Sequence, residues 1–369
     1  MENTPLATLV QCGQSVWLDG VVRQLLLSGE LISLVQDGIT GVTSNLSLLE
    51  RSIAGTSDYD GAIAFLARQG QNAQKIYETL LTEDLRLAAD LLHPLYLRLH
   101  GRDGFVSLGV SPHLAHDGVG MLSEARRLWE RVDRPNLLVG IPGTREGVAA
   151  LRQLVREGIN VNATLVFALP RYLAVARAYQ DGLSERAARG LALAGVASAA
   201  TVAVGRIDAL VDPILCSLAQ REGGGERMAA ALKGEVGMAC AKVLRQANIE
   251  VHSGGRYLAL AAHGARQQRL VFGGDAGGAG RAEALLGPGT VDALPLEAIA
   301  ALRDHGSRPA GCLDEGVQEA LATLERLHEL GVDLSRLAQR LENEGVERAA
   351  RLYESLLRNI ELKRQTFLG

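Results

Sequence analysis

The stretch Leu137–Phe167 reads LLVGIPGTREGVAALRQLVREGINVNATLVF and holds one strand–helix–strand unit. Leu137–Ile141 and Val161–Phe167 are short apolar runs, and Arg145–Glu157 between them carries apolar residues at helical spacing. A strand buried on both faces gives such an unbroken run, not an alternating one. The intervening segment is long enough for the crossover that two parallel strands require. Working outward, the same alternation recurs. Further runs stand at Ser15–Asp19, Gly41–Asn45, Phe105–Val110, Ser198–Val204, Arg269–Gly273 and Thr290–Leu294, which makes eight. Eight such units predict an α/β chain folded as a single (β/α)8 barrel over residues 1–369, with a doubly wound open sheet as the competitor. Extra helices are expected at both ends, with residues 313–369 forming a charged helical tail on the barrel. In that tail Gly331 reads as a stop, Asp333 as a cap, and Gly345 as a break before the last helix. Arg221–Arg227 (REGGGER) reads as a loop within the barrel.

Composition narrows the function. The chain has 369 residues, 47% apolar and 22% charged, the mix of a folded globule. Its net charge of -4 gives no footprint for nucleic acid. No apolar run approaches the roughly 20 residues of a membrane span. The N-terminus lacks a basic segment followed by an apolar core, so a cytoplasmic protein is expected. The four cysteines, Cys12, Cys216, Cys240 and Cys312, are scattered and read as free thiols. GGDAGGAG (residues 273–280) has no GK[ST] ending and no dinucleotide fingerprint, so no cofactor is expected. His113 and His116 stand three apart beside Asp117, and a turn or helix start is favoured there over a metal site. Trp17 and Trp129 read as packing residues. The expected partner is a small molecule, phosphorylated or amphiphilic.

Barrel chemistry sits at the C-terminal ends of the strands. The polar residues there are Asp19; Thr43, Ser44 and Asn45; Ser107; Asn162 and Thr164; and Arg206 with Asp208. Each alone could cap a turn. Together they describe one polar mouth.

Several segments, taken in order, resemble bacterial transaldolases of the long form: WLDG, GVTSN, SIAGTSDYDGAI, GFVSLGVSPHLAHD, EGINVNATLVFALPRY, GRIDALVD, HGARQQRL and the tail ENEGVERAARLYESLLRNIELKR. The likeness runs from about Gln14 to Arg364. It implies the (β/α)8 barrel of that family and, in its working members, a Schiff base between a fourth-strand lysine and a ketose. A third-strand glutamate and a first-strand aspartate handle protons through a water. Asparagines and a serine hold sugar hydroxyls, and a serine and an arginine after the sixth strand hold phosphate. By resemblance Asp19 matches the aspartate, Asn45 the second-strand asparagine, Asn162 and Thr164 the fifth-strand pair, and Arg206 the phosphate arginine. Ser107 joins them as a binding residue.

Four positions depart from the pattern. Gly109 stands where the glutamate belongs, Gly140 where the lysine belongs, and Ala168 and Gly205 where the serines belong. The loop Gly273–Arg281 is shorter than the family's. The four lysines, Lys75, Lys233, Lys242 and Lys363, all fall outside the strand runs. Arginine stays protonated and cannot replace an amine nucleophile. Classical transaldolase activity is therefore not expected. The four replacements all remove volume and polarity, which predicts an enlarged, less polar pocket at the barrel centre, bordered by Leu108, Val139 and Phe167. Asp19 would face that space and titrate higher than usual. Three functions remain open: a repurposed lysine-independent lyase, isomerase or cyclase of specialised metabolism with Asp19 as acid or base; a non-catalytic pseudoenzyme; and a residual sugar-phosphate binder of the pentose phosphate pathway.

Overall fold

The computed structural model describes residues 13–220, 225–273, 287–305 and 313–368, together with Leu6, Leu9 and Leu285. Its centre is a closed barrel of parallel strands in sequential order: β1 Ser15–Asp19, β2 Ile39–Thr43, β3 Phe105–Gly109, β4 Leu137–Pro142, β5 Val161–Thr164, β6 Ser198–Val202, β7 Arg269–Gly273 and β8 Val291–Leu294. β1 pairs with both β2 and β8, which closes the ring and excludes the open sheet. Cys12, Cys312, Arg221–Gly224 and most of the Gly273–Arg281 loop lie outside the described residues. Cys216 and Cys240 are free. Among the described residues no helix is long and apolar enough to cross a membrane.

The unit that decided the fold forms as its chemistry dictates. Thr144 caps the helix Arg145–Glu157 by accepting from the Gly147 amide, and Gly158 ends it in the left-handed region. Its buried side, Ala150, Leu151, Leu154 and Val155, packs onto the barrel. Four strands end earlier than their apolar runs suggest: β3 at Gly109, β6 at Val202, and β2 and β5 for reasons the structure shows. β2 is shifted toward the N-terminus and stops at Thr43, because Asn45 leaves it to cap the helix Leu46–Gly55. β5 stops at Thr164, because Leu165 turns to φ 58°, a conformation leucine rarely adopts.

Side chains alternate along each strand, and the register assigns them. Ser15, Trp17 and Asp19 point inward, as do Phe105, Ser107 and Gly109, and Leu138 and Gly140. At the N-terminal floor, Trp17 packs with Phe105, Leu138, Ala199, Val271 and Ala293. Its indole occupies the space a side chain on Gly41 would need, since a Cβ there would lie 2.6 Å from Nε1. Asp103 holds the indole through a 2.8 Å bond from Nε1 and is ion-paired to Arg269 at 2.9 Å. The alternate residues, Val106, Leu108, Val139 and Ile141, face the surrounding helices.

The tail departs from expectation at one point. Gly331 and Asp333 stop one helix and cap the next. Gly345, however, breaks nothing and lies inside a continuous helix, Leu334–Leu368. A Cβ there would come within 2.7 Å of Leu165 Cδ2, so the glycine is a notch that receives the left-handed Leu165. Arg227 likewise belongs to a helix, Glu226–Leu232, and not to a loop. The last helix also meets the barrel through Glu342 with Arg171 at 3.1 Å, and through Ser355 and Asn359, both donating to Glu50.

Two stability effects follow. Asp103→Ala strands the Arg269 guanidinium and the Trp17 N–H in a buried floor, and should cost about 3 kcal/mol in urea unfolding. Gly345→Leu overfills the notch and should cost ~2 kcal/mol. In limited proteolysis its C-terminal helix should be cleaved faster than in the parent protein.

Candidate functional site at the barrel mouth

The C-terminal end of the barrel carries two hydrogen-bonded groups. In the first, Asp19 at the end of β1 accepts from Thr43 Oγ1 at 2.7 Å and from Asn45 Nδ2 at 3.3 Å. Asn45 works twice, since its Oδ1 accepts from the Ser47 and Leu48 amides and starts the helix. In the second group, Asn162 on β5 donates from Nδ2 to Ser107 Oγ at 3.2 Å and accepts from Thr201 Oγ1 at 2.8 Å. Ser107 and Asn162 are buried, so a fixed line of polar groups crosses the barrel from β3 through β5 to β6. Thr164 stands apart, with its hydroxyl turned to the Ile141 carbonyl at 3.3 Å. Arg206 lies in the first turn of the helix Val204–Ala219, after β6, and is half-buried. Asp208, two residues on, is buried and accepts from the Gly237 amide at 2.7 Å, a helix-to-helix contact.

Thr201 was not singled out in the sequence. Its signal was parity: it sits two residues beyond Ala199, on the inward face of SAATV. Ser44 supports the rim from its backbone, donating to the Ser107 carbonyl at 2.8 Å, while its Oγ accepts from the Gly109 amide.

The departing positions behave differently from one another. Gly109 and Gly140 are register partners. A Cβ on Gly109 would meet nothing within 4 Å, so its space stands open. A Cβ on Gly140 would lie 3.1 Å from Gly109 Cα, so a side chain here would press on the neighbouring strand's backbone. Ala168 is the N-cap of the helix Leu169–Ala188 and gives it no side-chain cap. It lines a cavity of about 240 Å³ with Phe167, Arg171 and Glu342, between that helix and the tail.

The expected borders of a central cavity are corrected by this geometry. Leu108 and Val139 face the helices, and Phe167 packs with Ile207 and Val211 under the tail. Asp19 is met by polar donors and not by an apolar wall. The cavity that Gly109 shares with Leu108 measures only about 20 Å³ and lies on the helix side. It also holds Glu124, whose carboxyl accepts from the Ser111 amide at 2.8 Å and is pushed up by burial. That carboxylate therefore faces the helices and not the barrel mouth.

None of the four lysines reaches the mouth from a strand. Lys75 is exposed on the helix Ala73–Arg98, Lys233 is exposed in the turn after the helix Glu226–Leu232, and Lys242 is on the helix Val236–Ser253. Lys363 pairs with Asp60 and donates to the Thr56 carbonyl at 2.7 Å. His113 and His116 diverge, to Glu354 at 3.8 Å and Glu146 at 3.5 Å. Asp117 caps the helix Gly118–Val132. No group of metal-binding side chains converges among the described residues.

Thr201→Val keeps the shape of the side chain and removes the donor to Asn162. It should cost about 1 kcal/mol in urea unfolding, whereas Thr164→Val should cost about 0.5 kcal/mol or less.

A family model described as transaldolase/fructose-6-phosphate aldolase matches residues 16–360. A transaldolase of Thiobacillus denitrificans is 42% identical, over 94% of this chain and 97% of that protein. A transaldolase of Thermobifida fusca is 38% identical, over 96% of this chain and 97% of that protein. A protein named transaldolase 2 from a Nostoc species is 35% identical, over 97% of each.

Proposed function

The chain belongs to the transaldolase/fructose-6-phosphate aldolase family, and we propose that it is a repurposed member that acts on a small hydroxylated ligand without a Schiff base. The observation that carries this reading is a contrast. The polar line Ser107–Asn162–Thr201 and the Asp19–Thr43–Asn45 group share one mouth, while every lysine lies off the strands. An amine nucleophile must reach the carbonyl carbon, and no side chain of that type is placed to do so.

The chemistry left is proton transfer. Asp19 is the acid–base residue, held in place by Thr43 and Asn45. As carboxylate it removes a proton from a hydroxyl or from carbon beside a carbonyl, then returns it to a neighbouring atom. Such an isomerisation or lyase-type step balances without a co-reactant. Asn162, Ser107 and Thr201 orient the ligand and offer donors to charge that develops on oxygen. Arg206, in the first turn of its helix, receives an anionic end such as a phosphate. The open space over Gly109 admits a bulkier substituent than a glutamate there would allow. A non-catalytic ligand-binding role is the second reading. The position of Glu124 favours it, since that carboxylate sits behind β3 on the helix side and not beside Asp19.

Borohydride reduction with fructose 6-phosphate tests the lysine argument. No stable adduct should form on the protein as it stands. Gly140→Lys combined with Gly109→Glu should restore trapping at position 140. Gly140→Lys alone should trap less, because no carboxylate at 109 then handles the protons of imine formation. An adduct mapped to Lys75, Lys233, Lys242 or Lys363 in the unaltered protein would overturn the proposal. Ligand binding is checked separately by calorimetry with sugar phosphates, where Asn162→Leu should weaken affinity about tenfold or more.

A further inference from the structure

The barrel has a second opening, at the end opposite Asp19. A cavity of about 660 Å³ lies there among the segments that lead into the strands. That volume falls in the range of small-molecule sites. Its wall is apolar and includes Trp17, Leu99, Phe105, Leu138, Ala197 and Ala199. Its charged residues are Arg102, Arg266, Arg269 and a single acid, Asp103.

The hydrogen bonds leave this cavity with donors in excess. Asp103 is saturated. Its Oδ1 accepts from Trp17 Nε1 and the Gly104 amide, and its Oδ2 accepts from Ser15 Oγ and Arg269 Nη1. Arg269 is also committed to Ser15 Oγ at 2.8 Å and the Thr290 carbonyl at 2.9 Å. Gln14, only 2% exposed, takes two donors on Oε1, from the Gly287 amide and Thr290 Oγ1. That fixes its amide, and its buried Nε2 has no partner among the described residues. Arg266 lies flat over Gly101, where a Cβ would be 2.5 Å from Nη2. Its Nη2 donates to the His100 carbonyl, and its buried Nη1 has no partner among the described residues. Both atoms are closed to solvent, so the donors open to an entering ligand are those of Arg102, which is exposed, and the rest of the half-buried Arg266 guanidinium.

We propose that this floor cavity is a binding site for a small organic anion with an apolar body: a carboxylate or phosphate head on an aromatic or branched aliphatic group. The head meets the guanidinium groups of Arg102 and Arg266, and the body lies against Trp17, Phe105 and Leu138. The site is separate from the mouth but shares its strands. Trp17, Phe105 and Ala199 each lie two residues below Asp19, Ser107 and Thr201.

Trp17 is a built-in reporter, and Trp129→Phe leaves it as the one tryptophan. In that background, phenylacetate or phenyl phosphate should change the emission saturably, and the comparison of the two identifies the preferred head. Benzyl alcohol, which lacks the charge, and inorganic phosphate, which lacks the body, should bind about tenfold more weakly or worse. Arg266→Lys and the exposed Arg102→Glu should each lower affinity for the better probe, by about tenfold for Arg266→Lys. Asn162→Leu at the mouth should leave it unchanged. If Arg266→Lys fails to fold, Arg102→Glu carries the test alone. The proposal falls if neither anionic probe gives saturable binding. It also falls if binding survives the arginine changes, or disappears with Asn162→Leu.

Discussion

The carboxylate of Asp103 is the constraint on which the barrel's interior depends. It stands just before β3 and takes hydrogen bonds from Ser15 and Trp17 on β1 and from Arg269 on β7. One buried anion thus ties together segments far apart in the chain. It also fixes the height of the Trp17 indole, which lies over Gly41 where no other residue fits. With the indole in place, the apolar floor is filled and the polar residues above it can only open upward. Asp19 and Ser107 are each one inward position above Trp17 and Phe105. Their direction is set from below.

The paired glycines show how losses in a barrel become coupled. A strand position facing inward ordinarily keeps its neighbours at side-chain distance. With Gly109 beside Gly140, a Cβ added at 140 would press on the backbone of 109. The two positions are therefore not independent of each other. The open space lies over Gly109, and the closed side is at Gly140. This asymmetry explains why a single large central void does not follow from adding up the missing side chains.

Eight strands in order, their parallel sense and the closing helices were legible in the sequence because runs of apolar residues and helical spacing are local signals. The polar mouth was legible at Asp19, Asn45, Ser107 and Asn162 for the same reason, with family resemblance adding the order. What could not be read was which face of each run looked inward. A strand buried on both sides is apolar at odd and even positions alike, so Leu108 and Val139 were assigned to the barrel centre although they pack against helices. Thr201 was passed over in SAATV by the same ambiguity. Gly345 failed differently. Glycine in a helix usually marks its end, and here it is required by Leu165, a residue 180 positions earlier whose left-handed backbone no local pattern announces.

The two ends of the barrel differ in their chemistry. At the mouth, Gly109, Gly140, Ala168 and Gly205 carry no polar side chain. The groups that remain there largely satisfy one another: Asp19 with Thr43 and Asn45, and Asn162 with Ser107 and Thr201. At the floor, three arginines face one carboxylate that is already fully bonded, and two buried donors lack acceptors. A self-satisfied polar layer needs no ligand to be stable, and it exchanges its internal bonds for ligand bonds at little net gain. The floor keeps the exposed Arg102 and the half-buried Arg266 open to an entering anion. The sharper demand for a ligand therefore lies beneath Trp17, at the end of the barrel where the family resemblance assigns no chemistry.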